Sequence, residues 1–90
     1  MHLRPEVEKF AENMETVLQA NDYKGGWREQ GRILYFVLEA EGHLRGLKEA
    51  IADEKPAAIV LDQAIDTANF LMMVADLYER EQDLKQLEGT

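Results

Sequence analysis

Asp62-Gln63-Ala64-Ile65-Asp66-Thr67-Ala68-Asn69-Phe70-Leu71-Met72-Met73-Val74-Ala75-Asp76 decides how this chain folds. The run is almost entirely apolar and helix-compatible, yet a line of polar side chains passes through it. At about 100° per residue, Asp62, Asp66 and Asn69 fall within roughly 60° of one another on a helix. Ile65 and Met72 flank that line on one side and Phe70 on the other. Two carboxylates and an amide aligned in this way either sit at a solvent edge or face a metal ion or polar ligand inside a bundle.

Upstream of this helix, Asp53-Glu54-Lys55 is a break and Pro56 suits a helix start. The preceding helix is expected from about Arg28 to Ala52, with Ile33, Val37, Ala40, Leu44, Leu47 and Ile51 as its core stripe and Phe36 at one margin. Glu39 and His43 lie four apart beside that stripe, and Glu41 lies on its opposite flank. Gly42 and Gly46 each cost about 1 kcal/mol against alanine in a helix interior. They mark either a packing groove or a widened ligand pocket.

The first helix is expected from Pro5 to near Ala20, with Val7, Phe10, Met14, Val17 and Leu18 as its apolar stripe. Tyr23-Lys24-Gly25-Gly26-Trp27 then forms a loop whose glycines permit backbone angles that other residues resist. Lys24 and Trp27 on either side are placed to hold a phosphate and a base; the plainer account is a helix connection carrying a buried tryptophan. Beyond Asp76 the chain turns amphipathic and polar, so residues 79–90 form a helical or frayed tail. No strand-like alternation occurs. The expected fold is all-α: one domain over residues 1–90, core about 5–78, three main helices in an antiparallel bundle.

Ninety residues sit near the size at which one core is only just sufficient, and a short helical chain often completes its core with a copy of itself. A hydrophobic fraction of 46% can build such a core. The net charge of −8 disfavours nucleic acid as a partner. It fits either a carboxylate-rich cation site or plain solubility, the commoner case. Without cysteine there is no disulfide, zinc-thiolate site or thiol chemistry. No signal peptide is visible, and the aspartates in the most apolar run argue against a membrane span. The expectation is a soluble cytoplasmic protein.

Serine is also absent, and neither a Walker loop nor a dinucleotide fingerprint occurs. The remaining chemistry is oxygen-rich: Glu39, Glu41, Asp62, Asp66 and Asn69 on two helices expected to pack antiparallel. Carboxylates from facing helices can hold Mg²⁺, which in turn can bridge nucleotide phosphates and activate a water. The spacing is generic, because acidic residues on helices usually meet solvent.

Lys24-Gly25-Gly26-Trp27, followed by a helix and then by Asp66-Thr67-Ala68-Asn69-Phe70-Leu71-Met72-Met73-Val74-Ala75-Asp76, resembles the MazG-like proteins, in particular their short phage and prophage forms. The resemblance runs from about Pro5 to Asp76. It implies an all-α pyrophosphohydrolase, dimeric or tetrameric, that cleaves nucleoside triphosphates to monophosphate and pyrophosphate with Mg²⁺ or Mn²⁺. It also implies a Glu-Glu-x-x-Glu motif on one helix, a Glu-x-x-Asp motif on the next, and roles in nucleotide binding for Lys24 and Asn69.

The chain departs from that pattern. Asp66 and Asn69 match, but Gln63 stands where the family has glutamate, keeping an acceptor oxygen and losing the charge. In the first motif, one register gives Glu39, Ala40 and His43; the other gives Gly42, His43 and Gly46 and preserves the hydrophobic spacing. The resemblance therefore implies a metal set drawn from Asp66, Asp62, Glu39 and Glu41, with Lys24, Trp27, His43, Gln63 and Asn69 toward the nucleotide. Three functions follow: a pyrophosphohydrolase with a non-standard metal shell, a silent homologue that needs no metal and holds a nucleotide or nucleotide signal, or an acidic oligomer that engages a host protein.

Overall fold

Proline and glycine set the helix boundaries in the computed structural model, which describes residues 1–89; Thr90, the last residue of the expected tail, lies outside them. Helix α1 spans Pro5–Ala20, with Pro5 in the first turn, where its missing N–H costs nothing. Glu6 and Glu8 face the positive end of the helix dipole. The helix stops at Asn21, whose Nδ2 donates to the Val17 carbonyl at 2.9 Å. One 3₁₀ turn, Asp22–Lys24, leads to Gly25 at φ +88°, a backbone conformation that side chains disfavour.

The expected second helix is in fact two pieces. Trp27–Gln30 forms the short helix α2, Gly31 interrupts at φ −19° and ψ 55°, and α3 runs Ile33–Ala52. Helix α3 ends with Glu54 at φ 52° and the Lys55 N–H donating to the Ala50 carbonyl at 2.9 Å. That is the geometry of a Schellman cap, with glutamate where glycine is usual. Pro56 then caps α4, Ala57–Glu88, by accepting from the Ile59 and Val60 N–H groups. The polar tail is helical up to Glu88.

Helices α3 and α4 run antiparallel: the Phe36 ring faces that of Phe70, and His43 faces Gln63. Gly46 permits close approach, since a methyl group there would lie 2.8 Å from Gln63 Nε2. Around Gly42 the space is open, so the two glycines do not form one groove. The core stripe of α3 is rotated from the one expected. Phe36 is 3% exposed, and Ala40 and Ala50 are buried, whereas Leu44 and Ile51 face solvent.

Helix α1 packs on α4 and buries no residue fully. Val7 and Phe10, two of the five residues in its apolar stripe, are exposed. The radius of gyration is 15.4 Å, against about 12 Å for a compact chain of this length. By length and composition alone α4 is also apolar enough to cross a membrane. Its line of Asp62, Asp66 and Asn69 would then need cover from other protein. Among the described residues there are four helices and no strand.

Candidate functional site

The loop between α1 and α3 folds back onto α4 because its tryptophan has a distant partner. Trp27 Nε1–H donates to Asp76 Oδ2 at 2.9 Å. Arg28 donates to both carboxylate oxygens, Nε to Oδ2 at 3.0 Å and Nη2 to Oδ1 at 3.3 Å. Arg80, one turn further along α4, donates to Oδ2 at 3.3 Å. The Arg28 and Trp27 hydrogen bonds hold the Asp76 carboxyl at a pKa of about 2. Within the loop, Gln30 Nε2 donates to the Lys24 carbonyl at 2.9 Å.

This clamp closes one side of a cavity of about 440 Å³. Lys24, Gly25, Gly26 and Trp27 line it from the loop, and Val17 and Leu18 from α1. Tyr35, Phe36, Glu39 and His43 line it from α3, and Asp66, Asn69, Phe70 and Met73 from α4. An aromatic column backs it. Phe70 stacks on Phe36 with centroids 6.1 Å apart and on His43 at 5.3 Å, both within 25° of parallel.

His43 is fixed by α4 as well. Its Nδ1–H donates to Gln63 Oε1 at 2.9 Å, and the same nitrogen lies 3.8 Å from Asp66 Oδ2. Because the Gln63 oxygen can only accept, Nδ1 carries the proton. Burial raises the Asp66 carboxyl above its ordinary value, an effect opposed by His43 and reinforced by Asp62. Asn69 is 3% exposed. Its Nδ2 donates to the Met14 carbonyl at 3.3 Å, while its Oδ1 is buried with no hydrogen-bond partner among the described residues.

Of the residues singled out in the sequence, Lys24, Trp27, Glu39, His43, Asp66 and Asn69 come together around the cavity. Gln63 supports it through His43. Asp62 and Glu41 are exposed and are not in its lining. His43 and Gly46, two positions of the second motif register, face Gln63. Three residues not singled out matter too. Asp76 and Arg28 hold the loop across 48 positions of sequence, and Asp22 adds a carboxylate to the rim. Only the Asp76 of the motif run carried any signal, and it did not name a partner.

Only Glu39, Asp66 and Asp22 bring carboxylates to the cavity wall. No three His, Asp or Glu side chains are grouped to hold a metal among the described residues.

No family model matches this chain, and neither does any curated protein or solved structure. The likeness to MazG-like proteins therefore rests on the loop and helix motifs.

The two shifted carboxyls give opposite pH dependences. The Asp76 carboxyl is depressed, so its contribution to stability is fully present above the unfolded value of about 3.9. That contribution is lost as pH falls through about 2. The Asp66 carboxyl is raised, so its contribution is present below the unfolded value and is lost as pH rises through the folded one. In Asp76→Asn, the fall in melting temperature between about pH 4 and pH 2 should be shallower than in the parent protein. Parallel curves for the two proteins would show that the clamp does not form in solution.

Proposed function

We propose that this cavity binds a nucleotide and does not hydrolyse it, as a catalytically silent relative of the MazG-like pyrophosphohydrolases. One observation carries the reading: Lys24, Trp27, His43 and Asn69, which come from three separate segments, line a single cavity of about 440 Å³. That volume lies within the range of about 300–1,000 Å³ for small-molecule sites. Lys24 supplies the positive charge for a phosphate at one end. The aromatic column supplies an apolar wall for a base, and the buried Asn69 oxygen selects a ligand that offers a donor. Gln63 holds His43 where the MazG-like pattern has a charged metal ligand, which supports binding without hydrolysis.

The reading includes a bundle completed as a homo-oligomer in the cytoplasm, because one copy leaves much apolar helix surface open.

Calorimetric titration with the common ribo- and deoxyribonucleoside triphosphates, in EDTA and in Mg²⁺ or Mn²⁺, tests this. At least one nucleotide should bind in EDTA and be recovered intact. Lys24→Ala should weaken that binding by about 10-fold or more, the loss of one charge-assisted hydrogen bond. Release of monophosphate and pyrophosphate, stopped by Asp66→Ala, would replace this reading with the enzymatic one. No binding across the panel would leave the engagement of a host protein as the function to pursue, by pull-down.

A further inference from the structure

We infer that α4 pairs antiparallel with α4 of a second copy, through the face it turns away from α3 and the cavity. The inference rests on the oligomer part of the reading above and not on what the cavity holds.

Ala57, Leu61, Ala64, Ala68, Leu71, Ala75 and Tyr78 recur at alternating spacings of four and three, three heptads without interruption. At about 100° per residue they occupy roughly 100° of arc, opposite Asn69 and Met73. Leu61, Leu71 and Tyr78 are 58%, 53% and 56% exposed. No charged residue falls within that arc from Ala57 to Tyr78, although the chain carries 28 charged side chains, 10 basic and 18 acidic. The outer face of α3 also exposes Leu34 and Leu38 but breaks them up with charge, Glu41, Arg45, Lys48 and Glu49, all exposed.

A second copy is the occupant that this stripe fits. With Ala68 beside a two-fold axis, Leu61 meets Ala75 of the partner subunit, Ala64 meets the partner's Leu71, and Ala57 meets the partner's Tyr78. Every large side chain then faces an alanine, the large-on-small alternation that fills a helix interface without voids. A parallel pair in register would set Leu61, Leu71 and Tyr78 each against its own copy and leave gaps between the alanines. The antiparallel arrangement also brings Glu79 beside the amide end of the partner's helix, where negative charge is favoured. A seam of 22 residues is about 33 Å long. At helix width it removes on the order of 1,000 Å² in total from water, the lower bound for a specific interface. The cavity lies on the other side of α4 and stays open.

The chain has no cysteine, so single introduced cysteines report the geometry directly. Ala68→Cys should oxidise to a covalent dimer in high yield, because the two copies of this position meet at the axis within disulfide reach. Leu61→Cys should not, because its two copies lie about 20 Å apart along the seam. The parent protein should sediment at twice the chain mass, and Leu71→Glu should sediment as a helical monomer by circular dichroism. Equal cross-linking of both cysteine variants would overturn the antiparallel register. A monomeric parent protein at about 100 μM, or one that partitions onto lipid vesicles instead of dimerising, would overturn the pairing itself, leaving nucleotide binding to stand or fall by its own titration. Should Leu71→Glu unfold, the two cysteine variants still decide.

Discussion

Phe36→Ala is expected to lower the melting temperature by roughly 15–25 °C, from a loss of about 3–4 kcal/mol. Phe36 is among the most buried side chains, stacked on Phe70 and edge-on to Tyr35 at 5.2 Å. Its removal leaves a cavity where α3 and α4 meet, and Phe70 cannot collapse into it without breaking its stack on His43. Domains of this size hold roughly 5–13 kcal/mol in total, so the loss is a large share of stability. The matched control is Ile51→Ala, on the same helix but facing solvent, which should change stability by less than about 0.5 kcal/mol. Thermal melts of the two variants side by side decide which stripe of α3 is the core. If Ile51→Ala costs as much as Phe36→Ala, the helix is turned as its leucine and isoleucine spacing alone suggests.

That pair of variants also locates where the sequence stopped being informative. Ile33, Val37, Ala40, Leu44, Leu47 and Ile51 make a regular stripe, and so do Phe36, Ala40, His43, Leu47 and Ala50. The two share residues and differ by a small rotation. Hydrophobicity favours the first. Close packing favours the second, because Ala40 and Ala50 let α4 approach and Gly46 admits the Gln63 amide. The helical class, the Pro5 and Pro56 starts and the Lys24–Trp27 loop were legible, because each is set by local chemistry. The break at Gly31 was not, because Arg28–Gln30 is helical on both readings and only the Asp76 clamp folds it onto α4.

The site divides along the same boundary. Lys24, Trp27, His43 and Asn69 could be picked out as residues with a ligand's chemistry, since each stands in an unusual local setting. Their common cavity could not, because it depends on Phe70 stacking between two aromatic rings of α3 and on a hydrogen bond spanning 49 positions. The acidic residues show the converse. Asp62 and Asp66 are one turn apart and look equivalent in sequence, yet Asp66 lines the cavity with a raised pKa while Asp62 is exposed. Burial, which no spacing reports, separates them. In α4 the polar line hid a second pattern: a run apolar on nearly every side blurs its own periodicity, and the outward stripe emerges only once the inward face is known.

Asn69→Leu should move stability and binding in opposite directions, which a purely structural asparagine would not do. In the free protein, Oδ1 is buried without a partner, a state that costs about 1–3 kcal/mol in unmet solvation. Leucine fills nearly the same volume without that penalty. The Nδ2 bond it forfeits, 3.3 Å to the Met14 carbonyl, is long, and that carbonyl keeps its helical partner at Leu18. The variant should therefore melt roughly 5–10 °C higher than the parent protein, a gain of about 1–2 kcal/mol. Nucleotide affinity should fall by about 10- to 100-fold, because a ligand donor that satisfies the oxygen now meets a methyl group. This is the trade-off expected where a binding site keeps an unpaired polar atom in readiness. Scanning calorimetry without ligand and titration with ligand measure the two halves separately. A lower melting temperature would mean that the oxygen is already satisfied and Asn69 serves the fold. Unchanged affinity would place the ligand elsewhere in the cavity, along the loop side between Lys24 and Trp27.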